Sequence, residues 1–310
     1  LGRGIFSFFS PFKMSKWIEE ELEDGLRGMY KIKQIFASTK SKFQHVDVME
    51  LEPFGRCLMI DGLLQSTQVD EFVYHESLVH PAMLMHANPK NVYIGGGGEG
   101  ATAREVLRHK SVEKCIMVDI DEDVVNFCKE HLPENKAAFA DPRLTVVIED
   151  AKKVLEESET KFDVIIMDLD DPLEGGPCYQ LYTKEFYEMC KSKLAPGGVL
   201  VTQAGQAGIK RHNIVWSAVN CTLNAVFPKV LPYNQAVYSF MDEWGWHLAL
   251  SDDSMKQLSA EEVDKRIAQR IDGELTFLDG EAWQGLFSLT KVHRKTLAAE
   301  TCVMTKGTHR

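Results

Sequence analysis

The chain has 310 residues, a net charge of −11 and 44% hydrophobic residues. This apolar fraction is ordinary for a folded globular protein, which excludes disorder as the main state. The acidic charge argues against a protein that binds nucleic-acid phosphates and suits a cationic ligand. Since no run of eighteen apolar residues occurs, we expect no membrane-spanning helix and no membrane partner.

The chain begins with a short segment that carries an apolar patch at residues 5–9 and has no signal-cleavage motif. We expect residues 1–14 to form a flexible arm.

The seven cysteines are odd in number and are never spaced as C-x-x-C. This pattern is typical of reduced thiols, so the sequence predicts a cytoplasmic protein without a zinc knuckle.

Residues 29–68 show alternating apolar positions and the turn dipeptide Asp61-Gly62, which predict a small antiparallel β unit. We place this unit in an N-terminal β domain at residues 15–80. From 70 to 86 the apolar spacing becomes helical. Pro81 is expected to interrupt or kink that helix.

From residue 89 onward, short apolar runs alternate with helical stretches of about ten residues. The expected strands lie at 92–94, 115–120, 144–148, 164–167 and 199–202. This alternation predicts an α/β fold, with a parallel sheet covered on both faces by helices. We assign residues 81–310 to a Rossmann-like catalytic domain of the class I methyltransferase type, with a late helix at 260–271 capped by Ser259.

A glycine-rich loop at 95–100 follows the first of these strands and opens a helix, so that a ligand can approach the backbone. The next two strands end at Asp119 and Asp150, which suit a ribose hydroxyl and an adenine amino group. Taken alone, each aspartate is better explained as a helix cap. Together the three features predict an adenosine-containing ligand, and both NAD and S-adenosylmethionine derivatives use this architecture.

Glu99 lies inside the glycine loop, where its carboxylate would oppose a pyrophosphate. It would also repel the carboxylate of ordinary S-adenosylmethionine, and it would attract an ammonium. The expected ligand is therefore adenosine joined to a cationic group.

The segment 162–183 contains five acidic residues and no lysine or arginine. A solvated turn, or metal binding by Asp168 and Asp171, is an alternative reading, but no oxygen-rich loop motif accompanies them. We favour an amine site. An alkyl ammonium, with a pKa near ~10.4, must lose a proton before it attacks a sulfonium carbon, and a nearby carboxylate can accept that proton.

The motif at 75–80 reads H-E-x-x-x-H, which puts His75 and His80 on different faces of a helix. We therefore expect no metal. The aromatic residues Tyr233, Tyr238 and Trp244 are typical of a late-strand core. They would also suit the wall of a polyamine pocket, through cation–π attraction.

Several motifs in order resemble the spermidine/spermine synthases, or aminopropyltransferases, over roughly residues 30–251. Glu99 and the segments at 168–182 and 203–205 are most similar to the thermospermine synthases of plants. The family likeness is carried by the segments 61–66 with 70–76, 95–106, 119–122 and 168–172.

The likeness implies decarboxylated S-adenosylmethionine as the aminopropyl donor, acting as a co-substrate, and no cofactor. Glu99 would contact the aminopropyl ammonium, Asp119 the ribose, and Asp150 with Ala151 the adenine. The residues assigned to the donor are Gln44, His75, Glu99, Asp119, Asp150 and Ala151.

The same likeness implies spermidine as the acceptor and thermospermine with 5′-methylthioadenosine as the products. Asp168 would accept the proton, and Tyr74, Asp171 and Tyr238 would bind the acceptor. Relatives are dimers or tetramers, so we expect a homodimer or homotetramer.

Other readings stay open. The same donor and chemistry serve spermidine and spermine synthases. A methyltransferase that uses ordinary S-adenosylmethionine would share the glycine loop and Asp119, although Glu99 fits it less well. A polyamine-binding protein without turnover is a third possibility.

Overall fold

The computed structural model describes residues 16–172 and 177–307, so the expected arm at 1–14 lies outside the described residues. The N-terminal domain is an antiparallel sheet in the order β1-β2-β3-β4-β5, which confirms the predicted β unit. Its strands are β1 Trp17–Glu23, β2 Leu26–Lys40, β3 His45–Leu51, β4 Gly55–Ile60 and β5 Leu63–Thr67.

The second domain contains a seven-stranded sheet in the order β11-β12-β10-β9-β6-β7-β8. The predicted parallel arrangement is confirmed for β6 to β10, whereas β12 runs antiparallel to both β10 and β11. The strands are β6 Asn91–Gly96, β7 Lys114–Asp119, β8 Leu144–Ile148, β9 Phe162–Asp168, β10 Leu194–Gln206, β11 Lys229–Val237 and β12 Asp242–Leu250.

Helices cover both faces of this sheet, as the α/β pattern predicted. On β9, Val164 and Ile166 enter one core, and Ile165 and Met167 enter the other, because successive strand residues face opposite sides. The helices are α1 Glu71–Met85, α2 Ala101–Leu107, α3 Glu122–His131, α4 Lys136–Phe139, α5 Ala151–Glu157, α6 Lys184–Lys193, α7 Val215–Asn224, α8 Ala260–Arg270, α9 Gly280–Leu286 and α10 Lys291–Ala299.

Helix α1 continues through Pro81, so of the expected interruption or kink the interruption is wrong. Proline has no N–H, which leaves the carbonyl of Ser77 without its partner in the helix. The hydroxyl of Tyr233 donates to that carbonyl at 2.9 Å. The lost backbone hydrogen bond is thus replaced by a side chain from β11, and the helix stays intact.

Helix α1 packs in the core of the large sheet, where Leu78 and Val79 join Val92 and Ile94. The domain boundary expected between residues 80 and 81 falls within this helix. Among the described residues, no helix is both long and apolar enough to cross a membrane.

Glu76 ties α1 to the segment before α9. Its buried carboxylate accepts hydrogen bonds from the backbone N–H groups of Thr276, Phe277 and Leu278, at 2.8 to 2.9 Å. The carboxylate therefore satisfies three donors that have no strand or helix partner.

We expect Glu76→Ala to lower the free energy of unfolding by about 2 kcal/mol or more, because it removes the acceptor of three backbone N–H groups, of which that of Leu278 is buried. Urea unfolding followed by circular dichroism measures this change. Glu113→Ala is the matched control, since it removes an exposed ion pair with Lys90 and should cost less than about 1 kcal/mol. Equal effects of the two substitutions would contradict this account.

Candidate active site

The site lies at the carboxyl ends of the central strands. Strand β6 pairs with β7 on one side and β9 on the other, so the loop that follows β6 lies between Asp119 and Asp168. The N–H of Gly98 donates to the Asp119 carboxylate at 2.8 Å, and the N–H of Gly97 donates to the Asp168 carbonyl at 3.1 Å. Sheet order therefore brings together two side chains that are 49 positions apart.

Two glycines make this close approach possible. Gly96 has a φ of +83°, and a Cβ there would lie 2.0 Å from the backbone oxygen of Asp168. A Cβ at Gly98 would lie 2.5 Å from an oxygen of Asp119. These two glycines are thus required by contact with the Asp168 backbone and with the Asp119 carboxylate, quite apart from any ligand.

The nucleoside end of the site is formed by the residues that follow β7 and β8. Asp119 is held by the N–H groups of Gly98 and Asp121, and burial raises its pKa. Asp150 caps α5, accepting from Lys152 N–H at 2.8 Å. Asp150 is therefore the N-cap of α5, as the capping alternative predicted, and Ala151 is the first residue of that helix.

Two apolar side chains that sequence reasoning missed flank these aspartates. Ile120 and Ile148 follow or end adjacent strands and are 47% and 42% exposed. Exposed isoleucines beside Asp119 and Asp150 offer an apolar surface on which a planar base can lie. Strand-end position was the only signal in the sequence that could have identified them.

Glu99 is buried and faces His75. Ser66 donates to one carboxylate oxygen at 2.8 Å, and His75 Nε2 lies 3.8 Å from the other. Burial raises the pKa of Glu99 to about 7. Burial by itself would lower the pKa of His75, but its hydrogen bond to Glu71 and the charge of Glu99 raise it to about 9. A cationic imidazole therefore faces Glu99 at neutral pH.

Asp168 ends β9 and is held at both oxygens. Tyr74 donates to Oδ1 at 2.8 Å, and Thr102 donates to Oδ2 at 2.5 Å. Burial and the Asp168 charge raise the pKa of Tyr74, which keeps the phenol protonated as a donor. Thr102 was missed by sequence reasoning, because its role depends on the position of β9 beside α2. The two donors orient a carboxylate that can accept a proton.

Asp171 lies on the loop after β9, where Gln203 donates to it at 3.3 Å. Burial raises the pKa of Asp171 to about 6. Gln203 also donates to the hydroxyl of Tyr182 and accepts from the indole N–H of Trp244. The expected acidic pocket therefore has an amide and aromatic lining. The part of the predicted acidic segment at 173–176 lies outside the described residues.

Tyr238 lies on a short 3-10 turn and is 73% exposed, and its ring packs edge to face with that of Phe54 in the N-terminal domain, with 5.9 Å between the ring centroids. Phe240 of the same turn contacts the ring of Tyr74, with 5.9 Å between ring centroids, and that of Trp244 at 4.8 Å. The aromatic wall next to Asp168 is thus formed by Phe240, which sequence reasoning missed. The described contacts of Tyr238 are with the N-terminal sheet.

Gln44 lies on the turn between β2 and β3. Ser41 of that turn donates to Asp121 at 2.6 Å, which brings the turn next to the end of β7.

His75 and His80 contact different partners, Glu71 and Glu105. Within residues 16–172 and 177–307, no group of three histidine, cysteine or acidic side chains is arranged to hold a metal.

The Rossmann-like sheet, with acidic side chains at its strand ends, has the arrangement of a nucleoside-binding enzyme whose site favours a cationic ligand. A model of the spermine/spermidine synthase domain matches residues 71–260, and a model of the spermidine synthase tetramerisation domain matches residues 16–68. The chain therefore belongs to the spermine/spermidine synthase family and is an aminopropyltransferase of polyamine biosynthesis.

Individual relatives agree with this assignment. Thermospermine synthase ACAULIS5 of Arabidopsis thaliana is 45% identical over 92% of this chain and 84% of its own length. Polyamine aminopropyltransferase 2 of Hyperthermus butylicus is 42% identical over 91% of this chain and 92% of its own. A crystal structure of spermidine synthase with the transition state analogue AdoDATO has a TM-score of 0.85 at 29% identity, covering 93% of this chain and 97% of that one.

We expect Gly98→Ala to lower aminopropyltransferase activity by about tenfold or more, because the new methyl group displaces the Asp119 carboxylate. Gly285→Ala is the control, since a Cβ there has no atom within 4 Å and should leave activity unchanged. Steady-state rates of both variants measure the difference. Full activity in Gly98→Ala would show that the position of Asp119 does not matter.

Proposed function

We propose that this chain transfers the aminopropyl group of decarboxylated S-adenosylmethionine to spermidine, giving thermospermine and 5′-methylthioadenosine. The observation that carries the proposal is the buried Glu99 carboxylate within the glycine loop. It suits a donor whose side chain ends in an ammonium. It would repel the carboxylate of ordinary S-adenosylmethionine, which disfavours a methyltransferase.

The donor would lie along the strand ends in the order given by the sheet. Glu99 binds the aminopropyl ammonium, with His75 and Gln44 beside it. Asp119 accepts hydrogen bonds from the ribose hydroxyls, and Asp150 with Ala151 contacts the adenine. We propose that the donor is a co-substrate and that the enzyme needs no cofactor.

The reaction joins an amine nitrogen of the acceptor to the methylene carbon bonded to sulfur. As the C–N bond forms, the C–S bond breaks and its electron pair returns to sulfur, giving a neutral thioether. Asp168 accepts the proton that the attacking nitrogen loses. Tyr74 and Thr102 hold this carboxylate towards the reacting nitrogen.

The acceptor would extend from Asp168 towards Asp171, where a second ammonium is held. Tyr74 and Phe240 supply aromatic rings next to Asp168, and Tyr238 supplies an exposed ring further out, so that the ammonium groups of the acceptor are attracted to aromatic faces. The plant relative, a thermospermine synthase, supports thermospermine as the product. We propose a homodimer or homotetramer, because the N-terminal domain matches a tetramerisation domain. We also propose a cytoplasmic location, since the pattern of cysteines is typical of reduced thiols.

Product analysis tests the acceptor. We expect thermospermine from decarboxylated S-adenosylmethionine and spermidine, and little product from putrescine. The products are resolved by chromatography against spermine and thermospermine standards, since the two have the same mass. Spermidine from putrescine would reassign the acceptor, and spermine from spermidine would reassign the end of the acceptor that reacts; both results would keep the chemistry.

Asp168→Asn is the variant that separates catalysis from binding in this assay. The amide keeps the shape of the carboxylate and cannot take up the proton. We expect turnover to fall by about a hundredfold or more, with donor binding largely retained. Unchanged turnover would exclude Asp168 as the base, and an inactive wild type that binds polyamines would favour a binding protein.

The pH dependence of donor binding follows from the raised pKa of Glu99, about 7. Below that pH the carboxyl group is neutral and attracts the ammonium weakly, so affinity should rise by about tenfold between about pH 6 and about pH 8. Calorimetric titration at a series of pH values measures this affinity. Binding of 5′-methylthioadenosine, which has no ammonium, should lack this step, as should Glu99→Gln. A pH-independent affinity in the wild type would contradict the role of Glu99.

A further inference from the structure

Arg104 lies on α2, one turn beyond the glycine loop, and reaches three polar groups at once. Its guanidinium donates to both oxygens of Glu71 at 2.8 and 2.9 Å, to Asn135 at 2.8 Å and to Glu105 at 2.9 Å. Only 19% of its side chain is exposed. A planar fork with five donors can hold several acceptors in a fixed arrangement, which a lysine cannot do.

One connection leads from Arg104 to the backbone of the glycine loop. Asn135 is fully buried, and while its Oδ1 accepts from Arg104, its Nδ2 donates to the carbonyl oxygen of Glu99 at 3.0 Å. Because Arg104 fixes which end of the amide faces each partner, it determines where the Glu99 backbone lies.

A second connection leads from Arg104 to the side chain of the same residue. Glu71 accepts from Arg104 and also bonds His75 Nδ1 at 2.7 Å. His75 Nε2 in turn lies 3.8 Å from the Glu99 carboxylate. Arg104 therefore reaches Glu99 by two separate paths, one at its main chain and one at its carboxylate.

Cationic and anionic side chains alternate along the second path, in the order Arg104, Glu71, His75 and Glu99. Burial alone would raise the pKa of Glu71, but the bonds from His75 and Arg104 hold it below its usual range. The charged groups that act on Glu99 are His75, Glu71 and Arg104, with Ser66 as a neutral donor. Without Arg104, Glu71 would carry a buried charge with His75 as the single cation beside it, and its carboxylate would lose the guanidinium that holds both of its oxygens.

We propose that Arg104 is the positioning residue of the ammonium subsite: it holds Glu99 at both ends and so sets the affinity for the cationic part of the donor. This inference rests on the proposed function, since it takes Glu99 to bind the aminopropyl ammonium. Arg104 itself contacts neither Asp119 nor Asp168 among its described hydrogen bonds, so we expect a smaller effect at the nucleoside and acceptor ends of the site.

Arg108 provides a matched control one turn further along the chain. It also bonds Glu105, at 2.9 Å, and its remaining bonds go to the backbone oxygens of Asp272 and Glu274. Its side chain is 21% exposed, close to the value for Arg104. The two arginines thus have similar burial and share the partner Glu105. Of the two, Arg104 is the one whose other described hydrogen bonds continue, through Asn135 and Glu71, to Glu99.

The test measures binding of two ligands by calorimetry in Arg104→Gln, Arg108→Gln and the wild type. Decarboxylated S-adenosylmethionine carries the ammonium, and 5′-methylthioadenosine has the same nucleoside without it. We expect Arg104→Gln to weaken binding of the first at least tenfold and of the second less than threefold. Arg108→Gln should weaken both less than threefold.

Two results would overturn the proposal. Equal loss for both ligands in Arg104→Gln would mean that the residue only maintains the loop, and no loss for either would mean that it does not position Glu99. If Arg104→Gln fails to fold, Asn135→Ala breaks the backbone path alone and should still weaken the ammonium ligand selectively.

The wild type distinguishes this inference from the proposed function. If the wild type binds 5′-methylthioadenosine and decarboxylated S-adenosylmethionine equally, Glu99 is not an ammonium site and the proposed function fails. If the wild type prefers the ammonium ligand and Arg104→Gln keeps that preference, only the role of Arg104 is lost.

Discussion

The contact between the glycine loop and the end of β9 fixes the geometry of the whole site. The chain after β6 approaches so closely that a single Cβ at Gly96 would collide with the Asp168 backbone. This contact holds Asp168 on one side of the loop, while Gly98 holds Asp119 on the other. Asp119, proposed to bind the ribose, and Asp168, proposed to take up the proton of the amine, are thereby separated by the width of one loop.

Burial of carboxylates is the second constraint, and it has a cost. Glu99 and Asp171 both have raised pKa values because burial disfavours their ionised forms. A cationic ligand that lies against them would restore the charged state and offset the loss of hydration. A site arranged in this way is destabilised when empty and suited to a polycation, as is common where function competes with stability.

Helix α1 connects these features, because consecutive helical residues point in different directions. Tyr74 reaches Asp168, and His75 turns towards Glu99. The next residue, Glu76, anchors the segment before α9. One short stretch of chain therefore supports the amine site, the ammonium subsite and the packing of the C-terminal helices.

The fold was predictable to the extent that each element depends on its own residues. Alternating apolar positions indicated the N-terminal sheet, and the βαβ rhythm indicated the parallel strands. The antiparallel course of β12 was not predictable, because strand direction depends on pairing partners distant in sequence. The continuity of α1 through Pro81 was not predictable for the same reason. The hydroxyl that replaces the missing backbone hydrogen bond to Ser77 comes from Tyr233, which is distant in sequence.

For the site, the sequence by itself determined the chemistry: a glycine loop that contains Glu99, strand-end aspartates and an acidic segment without cations. These are properties of residue type and of order along the chain. Tertiary structure alone decided which groups act on them. Thr102 became a donor to Asp168, and Arg104 came to hold Glu99 through Asn135. Such contacts join residues separated by tens of positions, and only the packing of α2 against β9 and α1 brings their polar atoms within hydrogen-bonding distance.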